Sequence, residues 1–344
     1  MTGISATDRQ NGRPDALAFA QLLLNLLDEG RRTATYKLAV LLALLDCCTV
    51  GTDASGNAPG SISTRDLARR VLELYWPQVR DYALPAGGAV VLRQSSQPRA
   101  VTVDAVRRLR TRASSIRATT PASAGRDYPR FLYDDSAFHE NVSARQVRAT
   151  SMRVVLEPEV GDWLVSLAGL LRPLLELHWT REVAKFNGTE LVEDRLRDFL
   201  FGSERENLAR LRPGLLEAQA GRCFYCGERL STGQVDVDHF VPWSRVPNDG
   251  LQNLVLADRR CNSSKRDHWA DLPLLTTWAG RPQVVLQQVA DDVGWPLRQL
   301  ESRRIARGLY ARLPEGTHLW QQSGVFSVLD RTRLVEALAA LEDA

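Results

Sequence analysis

The stretch VDVDHFVPWS, residues 235–244, sets an acid and an imidazole side by side at Asp238 and His239. Apolar and polar residues alternate up to this pair, which is the pattern of a β-strand with one buried face. Taken alone, the pair favours a polar edge strand without chemistry. The residues before and after the strand therefore decide what the pair means.

Three of the five cysteines lie close to this strand in sequence. Cys223 and Cys226 are separated by two residues, a spacing that directs two thiolates to one tetrahedral ion, and Cys261 supplies a third soft ligand. We therefore predict a structural Zn²⁺ site, with three buried thiols as the alternative. An odd, clustered set of cysteines is not a disulfide framework, and it indicates a reducing, cytoplasmic compartment.

The segment LVLADRRCNSSK, residues 254–265, predicts a short strand that runs into a helix. Asn262, Lys265 and Arg266 have the spacing i, i+3 and i+4, so a helix places an amide oxygen and two cations on one face. If the fold brings Asp238 opposite Asn262, the two side chains offer hard oxygen ligands to Mg²⁺ or Mn²⁺.

Together these side chains suit the hydrolysis of a phosphodiester. A divalent ion on Asp238 and Asn262 would neutralise the scissile phosphate and the leaving oxygen. Neutral His239 would take the proton of the attacking water, because the pKa of an imidazole lies near neutral pH. Lys265 or Arg266 would bind the phosphate.

The same residues resemble the HNH endonuclease family, whose ββα-metal fold carries a DH step on the first strand, a middle Asn and a helix that begins C-x-x-C-[HN]-x-x-K. The resemblance implies that His239 is the general base and that Asp238 and Asn262 hold the catalytic metal. It also implies that Asn253 fixes the loop that aims His239. With Asn262 at the last position, the chain looks like an H-N-N version of the motif.

The resemblance also bears on the zinc site. Cys223, Cys226 and Cys261 match three of the family's four zinc cysteines, and Asp258 stands where the fourth would be. A carboxylate can bind zinc, so we predict a Cys3Asp site, with a water-completed site or loss of the zinc as alternatives. His268 is a poorer ligand because it lies roughly 10 Å from Cys261 along the helix axis.

The fold class expected for the whole chain is mainly α. We predict a mainly helical N-terminal region for recognition or regulation (1–200), a small ββα-metal (HNH) zinc-containing nuclease module (201–275) and a helical C-terminal extension (276–344). The most apolar segment, residues 36–48, contains Lys37 and Asp46 and is much shorter than the roughly 20 residues that span a membrane. We therefore expect a buried helix and no membrane partner.

Arginine carries nearly all the positive charge, since the only lysines are Lys37, Lys185 and Lys265. The segment VRRLRTRASSIR, residues 106–117, concentrates this charge. Phosphate contacts supply most non-specific affinity for DNA, so we predict nucleic-acid binding there; a solvated helix face is an equally good interpretation. The arginines of this prediction are Arg107, Arg108 and Arg110.

The function predicted from these features is a metal-dependent endonuclease that hydrolyses DNA. A looser similarity of VDHFVPWS and NDGLQNLVLA to bacterial HNH proteins with helical N-terminal regions suggests restriction or phage defence. The alternatives are an RNase that uses the same site, a non-catalytic zinc-containing nucleic-acid-binding protein and a helical interaction protein. The joint presence of Asp238, His239 and Asn262 argues against a non-catalytic module.

Overall fold

The computed structural model describes residues 16–28, 33–53, 55–84, 87–96, 133–134, 153–188, 191, 193–202, 208–230 and 234–341. Within these ranges the chain forms twelve α-helices and nine short strands. The mainly helical class predicted from the sequence is therefore confirmed for the described residues. The strands pair in four small sheets.

Six described helices lie before residue 202: α1 (Ala16–Asp28), α2 (Tyr36–Gly51), α3 (Thr64–Tyr75), α4 (Val160–Ser166), α5 (Ala168–Asn187) and α6 (Glu193–Phe201). Helix α2 holds the apolar segment and is buried along most of its length, as predicted. None of the helices in the described ranges combines the length and apolarity that a membrane crossing requires.

Asp46 interrupts the apolar sequence of α2 and is nevertheless buried. Its Oδ2 atom accepts a hydrogen bond from Nε of Arg70 in α3 at 2.6 Å, and its Oδ1 atom contacts Arg172 of α5. A buried carboxylate is costly unless it is paired. The two arginines therefore explain how α2 carries an acid in the core.

The strands of this region are short. Strands β1 (Ser61–Ser63), β4 (Tyr133–Asp134) and β5 (Arg153–Leu156) form an antiparallel sheet in the order β1-β5-β4, and β2 (Asp81–Ala83) pairs with β3 (Ala89–Val91). Helix α3 begins directly after β1. The Ser63 hydroxyl accepts a hydrogen bond from the Asp66 N–H and so caps the first turn of this helix.

The second half of the described chain carries strands β6 to β9 and helices α7 to α12. Their bounds are α7 (Arg212–Ala218), β6 (Val235–His239), β7 (Leu254–Asp258), α8 (Arg259–Lys265), α9 (Leu272–Ala279), α10 (Gln283–Val293), α11 (Gln299–Ala311), β8 (His318–Gln322), β9 (Val325–Val328) and α12 (Arg331–Ala339).

The C-terminal extension is not entirely helical, which corrects the prediction. Strands β8 and β9 pair as an antiparallel hairpin around a turn in which Gly324 has a φ of +76°. A Ser-Gly turn between two alternating segments predicts such a hairpin. Trp320 of β8 is buried, and its indole N–H donates to the Ser264 hydroxyl of α8 at 3.1 Å, so the hairpin supports the helix of the candidate site.

Strand β7 is buried on both faces, which explains its continuous apolar sequence. Val255 and Ala257 belong to the large core, whereas Leu254 and Leu256 belong to a smaller core with residues of α7 and α10. The large core draws on all three predicted segments of the chain. The boundaries at 200 and 275 stay a prediction.

Candidate functional site

The site is built on two antiparallel strands and the helix that follows them. Strand β6 pairs with β7 in a register that sets Asp238 opposite Val255 and His239 opposite Leu254. Helix α8 begins at Arg259, directly after β7. The strand–strand–helix order predicted from the sequence is therefore present, and its first strand carries the acid and the imidazole.

Asp238 is buried, and two side chains contact the same oxygen of its carboxylate. The Tyr225 hydroxyl donates to Oδ2 at 2.5 Å, and the Lys265 ammonium lies 3.0 Å from that atom. Burial, together with the Asp238 carboxylate, raises the pKa of Tyr225 well above its usual value, so the hydroxyl keeps its proton and acts as the donor. The second oxygen, Oδ1, is the one that remains for a further ligand.

Lys265 lies in the interior of the site. Its side chain is fully buried, its ammonium donates to the carbonyl oxygen of His239 at 2.9 Å, and it lies 5.7 Å from the centre of the Tyr225 ring. The sequence predicted a lysine that holds the scissile phosphate. The structure instead places it as the counter-ion of Asp238, because the packing of α8 on β6 turns this side chain inward.

Asn262 contacts a different acid from the one predicted. Its amide Nδ2 donates to Oδ2 of Asp236 at 3.3 Å. Asp236 and Asp238 lie two residues apart on β6 and share one face of the strand, so Asn262 still faces the side of the strand that carries Asp238. Because the amide donates through its nitrogen, its oxygen, the atom that binds hard cations, points away from Asp236.

His239 points to the other face of β6, since successive side chains of a strand alternate. Its Nε2 atom lies 2.7 Å from Oδ1 of Asp249, and its ring centre lies 5.1 Å from that of Trp243. A carboxylate only accepts hydrogen bonds, so Nε2 carries the hydrogen and Nδ1 holds the lone pair of the neutral ring. Nδ1 is thus the basic atom of this side chain.

Asn253 holds the loop that follows His239. The buried amide accepts from the N–H of Val241 at 2.9 Å and donates to the carbonyl oxygens of Val241 and Asn248 at 3.1 and 3.0 Å. These three bonds join both ends of the loop between β6 and β7. That they aim His239, as the resemblance implies, stays a prediction.

The three cysteines come together as predicted. The sulfur atoms of Cys223, Cys226 and Cys261 all lie within 4.8 Å of one another, and all are free thiols. Sulfur ligands of a tetrahedral Zn²⁺ lie about 3.8 Å apart, so the donor set fits that ion. Gly227 closes the turn: with a φ of +72° its N–H donates to the Cys223 carbonyl at 3.0 Å.

Asp258 does not point its carboxylate into this cluster. Oδ1 accepts from the N–H of Arg260 at 2.8 Å and so caps helix α8, while the backbone N–H of Asp258 donates to the Cys223 sulfur at 3.3 Å. Among the described histidines, cysteines and acids, the convergent group is the three thiols. His268 is exposed and packs edge-on against Phe326, at 5.0 Å between ring centres. The predicted Cys3Asp ligand set is therefore not formed here.

Two contacts were missed by the sequence prediction. Asp249 lies in a Pro-Asn-Asp-Gly segment, which is typical of a turn, and Tyr225 lies between two cysteines, but neither position indicates a hydrogen-bond partner. Arg266, predicted to bind phosphate, is exposed and bends its side chain back to the Ser263 carbonyl at 3.3 Å. The predicted DNA-binding arginines Arg107, Arg108 and Arg110 lie outside the described residues.

A comparison with known protein families shows which family this part of the chain resembles. The family model described as HNH endonuclease matches residues 223–270. The chain contains an HNH endonuclease domain. The matched range runs from the first cysteine of the cluster through β6, β7 and α8 of the HNH domain. No curated protein and no solved structure matches the chain.

Proposed function

We propose that the protein is a metal-dependent endonuclease that hydrolyses phosphodiester bonds of DNA. One observation carries the proposal: the imidazole of His239 is held by Asp249 through Nε2 and presents Nδ1 as a base, on the strand that also bears Asp238. Adjacent residues of one strand thus supply a carboxylate that can bind a metal and a histidine that can take a proton, the two groups that phosphodiester hydrolysis needs. The match of the HNH family model supports the same reaction class.

We assign the catalytic Mg²⁺ or Mn²⁺ to Asp238 and Asn262. A carboxylate and an amide oxygen are hard ligands that suit these ions better than zinc. Asp236 supports the assignment because it accepts from the Asn262 nitrogen and leaves the amide oxygen for the ion. The bound ion would neutralise charge on the scissile phosphate and on the leaving oxygen.

His239 acts on the attacking water. As the water oxygen bonds to phosphorus, Nδ1 takes a proton from it and the imidazole becomes imidazolium. The bond from phosphorus to the leaving oxygen breaks, that oxygen takes up a proton from solvent, and the imidazolium returns its proton to solvent, so one water molecule is added across the ester. Asp249 stabilises the imidazolium because its carboxylate lies 2.7 Å from Nε2.

We assign a structural Zn²⁺ to Cys223, Cys226 and Cys261, because their three sulfur atoms converge on one position. Water is the fourth ligand that this arrangement favours, since the Asp258 carboxylate is bonded to the helix N-terminus. A metal at this point would fasten the turn before β6 to helix α8. The ion would thus stabilise the fold on which the catalytic residues stand.

Nucleic-acid binding is proposed for Arg266 and for the basic segment that holds Arg107, Arg108 and Arg110. Arg266 is exposed and directly follows α8.

We further propose that the enzyme acts in the cytoplasm, in restriction or phage defence. The support is the similarity of its HNH segment to bacterial HNH proteins with helical N-terminal regions. Phage plating on cells that express the wild type or His239→Ala tests the defence role, and equal plating contradicts it.

The central experiment is cleavage of supercoiled plasmid in the presence of Mg²⁺ or Mn²⁺. We expect His239→Ala to slow cleavage by roughly 10² to 10⁴, the usual contribution of a general base. The matched control is His318→Ala, which removes an exposed histidine at the start of β8 and should cleave like the wild type. Equal plasmid cleavage by His239→Ala and the wild type refutes the mechanism. If the wild type cleaves single-stranded RNA but not DNA, the enzyme is an RNase.

A further inference from the structure

Tyr225 connects the cysteine cluster to the strand that bears Asp238. It lies between Cys223 and Cys226 in sequence, and its hydroxyl donates to Oδ2 of Asp238 at 2.5 Å. We propose that Tyr225 is a positioning residue that fixes the Asp238 carboxylate for divalent-metal binding. The proposal rests on the function proposed above and adds to it a residue that the metal-ligand set does not include.

The geometry at the carboxylate supports this role. Tyr225 donates a hydrogen bond to Oδ2 at 2.5 Å, and the Lys265 ammonium forms an ion pair with the same oxygen at 3.0 Å. A hydrogen bond and an ion pair on one oxygen restrict the rotation of the carboxyl group and leave Oδ1 as the oxygen that can bind an ion. Lys265 is itself held by the carbonyl of His239 at 2.9 Å. Removal of the Tyr225 hydroxyl therefore leaves the carboxylate with the Lys265 ion pair but without this hydrogen bond.

The Tyr225 ring is in turn held from three directions. Its centre lies 5.3 Å from that of Phe224 and 5.2 Å from that of Trp320, both in edge-to-face contact, and the Lys265 ammonium lies over its face. The backbone before it is tied to the site, since the Phe224 N–H donates to the carbonyl of Leu256 in β7 at 3.0 Å. A side chain restrained in this way can hold its hydrogen-bond partner in one place.

A buried tyrosine could instead serve stability alone, and the binding of Mn²⁺ distinguishes the two roles. The test is calorimetric titration of zinc-loaded full-length protein with Mn²⁺, without nucleic acid. We expect Tyr225→Phe to weaken Mn²⁺ binding roughly 10- to 100-fold, as the loss of a hydrogen bond to a charged group does. Asp238→Asn provides the reference for a lost site.

Tyr310→Phe is the matched control. Tyr310 is buried like Tyr225, and its hydroxyl donates to the Ala270 carbonyl at 2.8 Å, so its variant loses a hydrogen bond that does not involve Asp238. We expect it to bind Mn²⁺ like the wild type. Equal Mn²⁺ affinities of Tyr225→Phe and Tyr310→Phe would overturn the proposal, and so would a wild type that binds no Mn²⁺.

Trp320→Phe is the second variant, because it keeps the Tyr225 hydroxyl and loosens the ring that carries it, although it also removes the indole hydrogen bond to Ser264. It should weaken Mn²⁺ binding less than Tyr225→Phe does. Circular dichroism will show whether Tyr225→Phe and Trp320→Phe fold. If only one of them folds, an Mn²⁺ affinity equal to that of the wild type in that variant overturns the proposal.

Cleavage assays separate this proposal from the proposed function. In the presence of DNA, Tyr225→Phe should need more Mn²⁺ for half-maximal cleavage while its rate at saturating Mn²⁺ stays within about threefold of the wild type. If Tyr225→Phe weakens Mn²⁺ binding but even the wild type cuts no nucleic acid, the positioning role stands and the nuclease function fails. If the wild type cuts DNA and Tyr225→Phe binds Mn²⁺ normally, only the positioning role fails.

Discussion

Nε2 of His239 lies 2.7 Å from Oδ1 of Asp249, a residue of the loop between β6 and β7. The contact assigns the hydrogen of the neutral imidazole to Nε2 and its lone pair to Nδ1. Asp249 itself is fixed by the Trp295 indole, whose N–H donates to its carbonyl oxygen at 2.6 Å. The orientation of the proposed base thus depends on a loop residue and on a tryptophan that follows α10.

The first prediction concerns Asp249. We expect Asp249→Asn to lower kcat for plasmid cleavage roughly 10- to 100-fold, the usual effect of removing the outer partner of a functional histidine. An amide can donate to Nε2 and so favour the wrong tautomer. Asp292→Asn, at an exposed acid of α10, is the control and should leave kcat unchanged. A kcat like that of the control would show that Asp249 does not orient the base.

The second prediction concerns Lys265. Replacement by Met leaves the buried Asp238 carboxylate without its counter-ion, so the free energy of unfolding should fall by about 3–5 kcal/mol. Urea denaturation measures the loss. Lys185→Met should cost less than about 1 kcal/mol, because Lys185 is 60% exposed and lies 3.8 Å from Glu182.

The double variant Lys265→Met/Asp238→Asn completes this test. It should recover part of the lost stability, since it removes the unpaired charge as well. A Lys265→Met protein as stable as the Lys185→Met control would show that Lys265 is not the counter-ion of Asp238, and it would agree with the phosphate-binding lysine predicted from the sequence.

The third prediction separates the two roles considered for Asp258. Its carboxylate caps α8, and an asparagine caps a helix as well as an aspartate does. Asp258→Asn should therefore keep both its stability and its zinc, whereas Asp258→Ala should keep its zinc but lose about 1 kcal/mol of unfolding free energy. Zinc analysis of the two purified variants decides the matter. Loss of zinc from both variants would show that Asp258 is the fourth zinc ligand, as the sequence predicted.

The fourth prediction concerns the pH dependence of zinc binding. Burial raises the pKa values of the Cys223 and Cys261 thiols. Without metal these groups therefore hold their protons at neutral pH, and zinc must displace them. We expect zinc affinity to fall as the pH is lowered from about 8 to about 5, because protons compete better for the sulfur atoms.

A metal-release dye measures zinc affinity along this pH series. Calorimetric titration with zinc in two buffers of different ionisation enthalpy should also show proton release. Zinc affinity that does not change with pH would mean that the thiols are not the ligands.

Much of the fold around the site could be predicted because its signals are local. Alternation along β6 and the apolar run of β7 follow from a strand buried on one or both faces. The spacing of Cys223 and Cys226 brings their thiols together whatever the rest of the chain does. The hairpin of β8 and β9 was missed, although the Ser-Gly turn before β9 is a signal that could have revealed it.

The sequence by itself determined the elements that form the site: a strand with Asp238 and His239, a helix with Cys261 and Asn262, and the paired cysteines before them. Tertiary structure alone decided their partners. The spacing of residues along the chain cannot reveal that Lys265 turns inward to Asp238. Nor can it reveal that the His239 ring contacts Asp249 rather than solvent. Such choices depend on the angle at which α8 packs on β6 and on the path of the loop, both of which are set by contacts with distant segments such as Trp320 and Trp295.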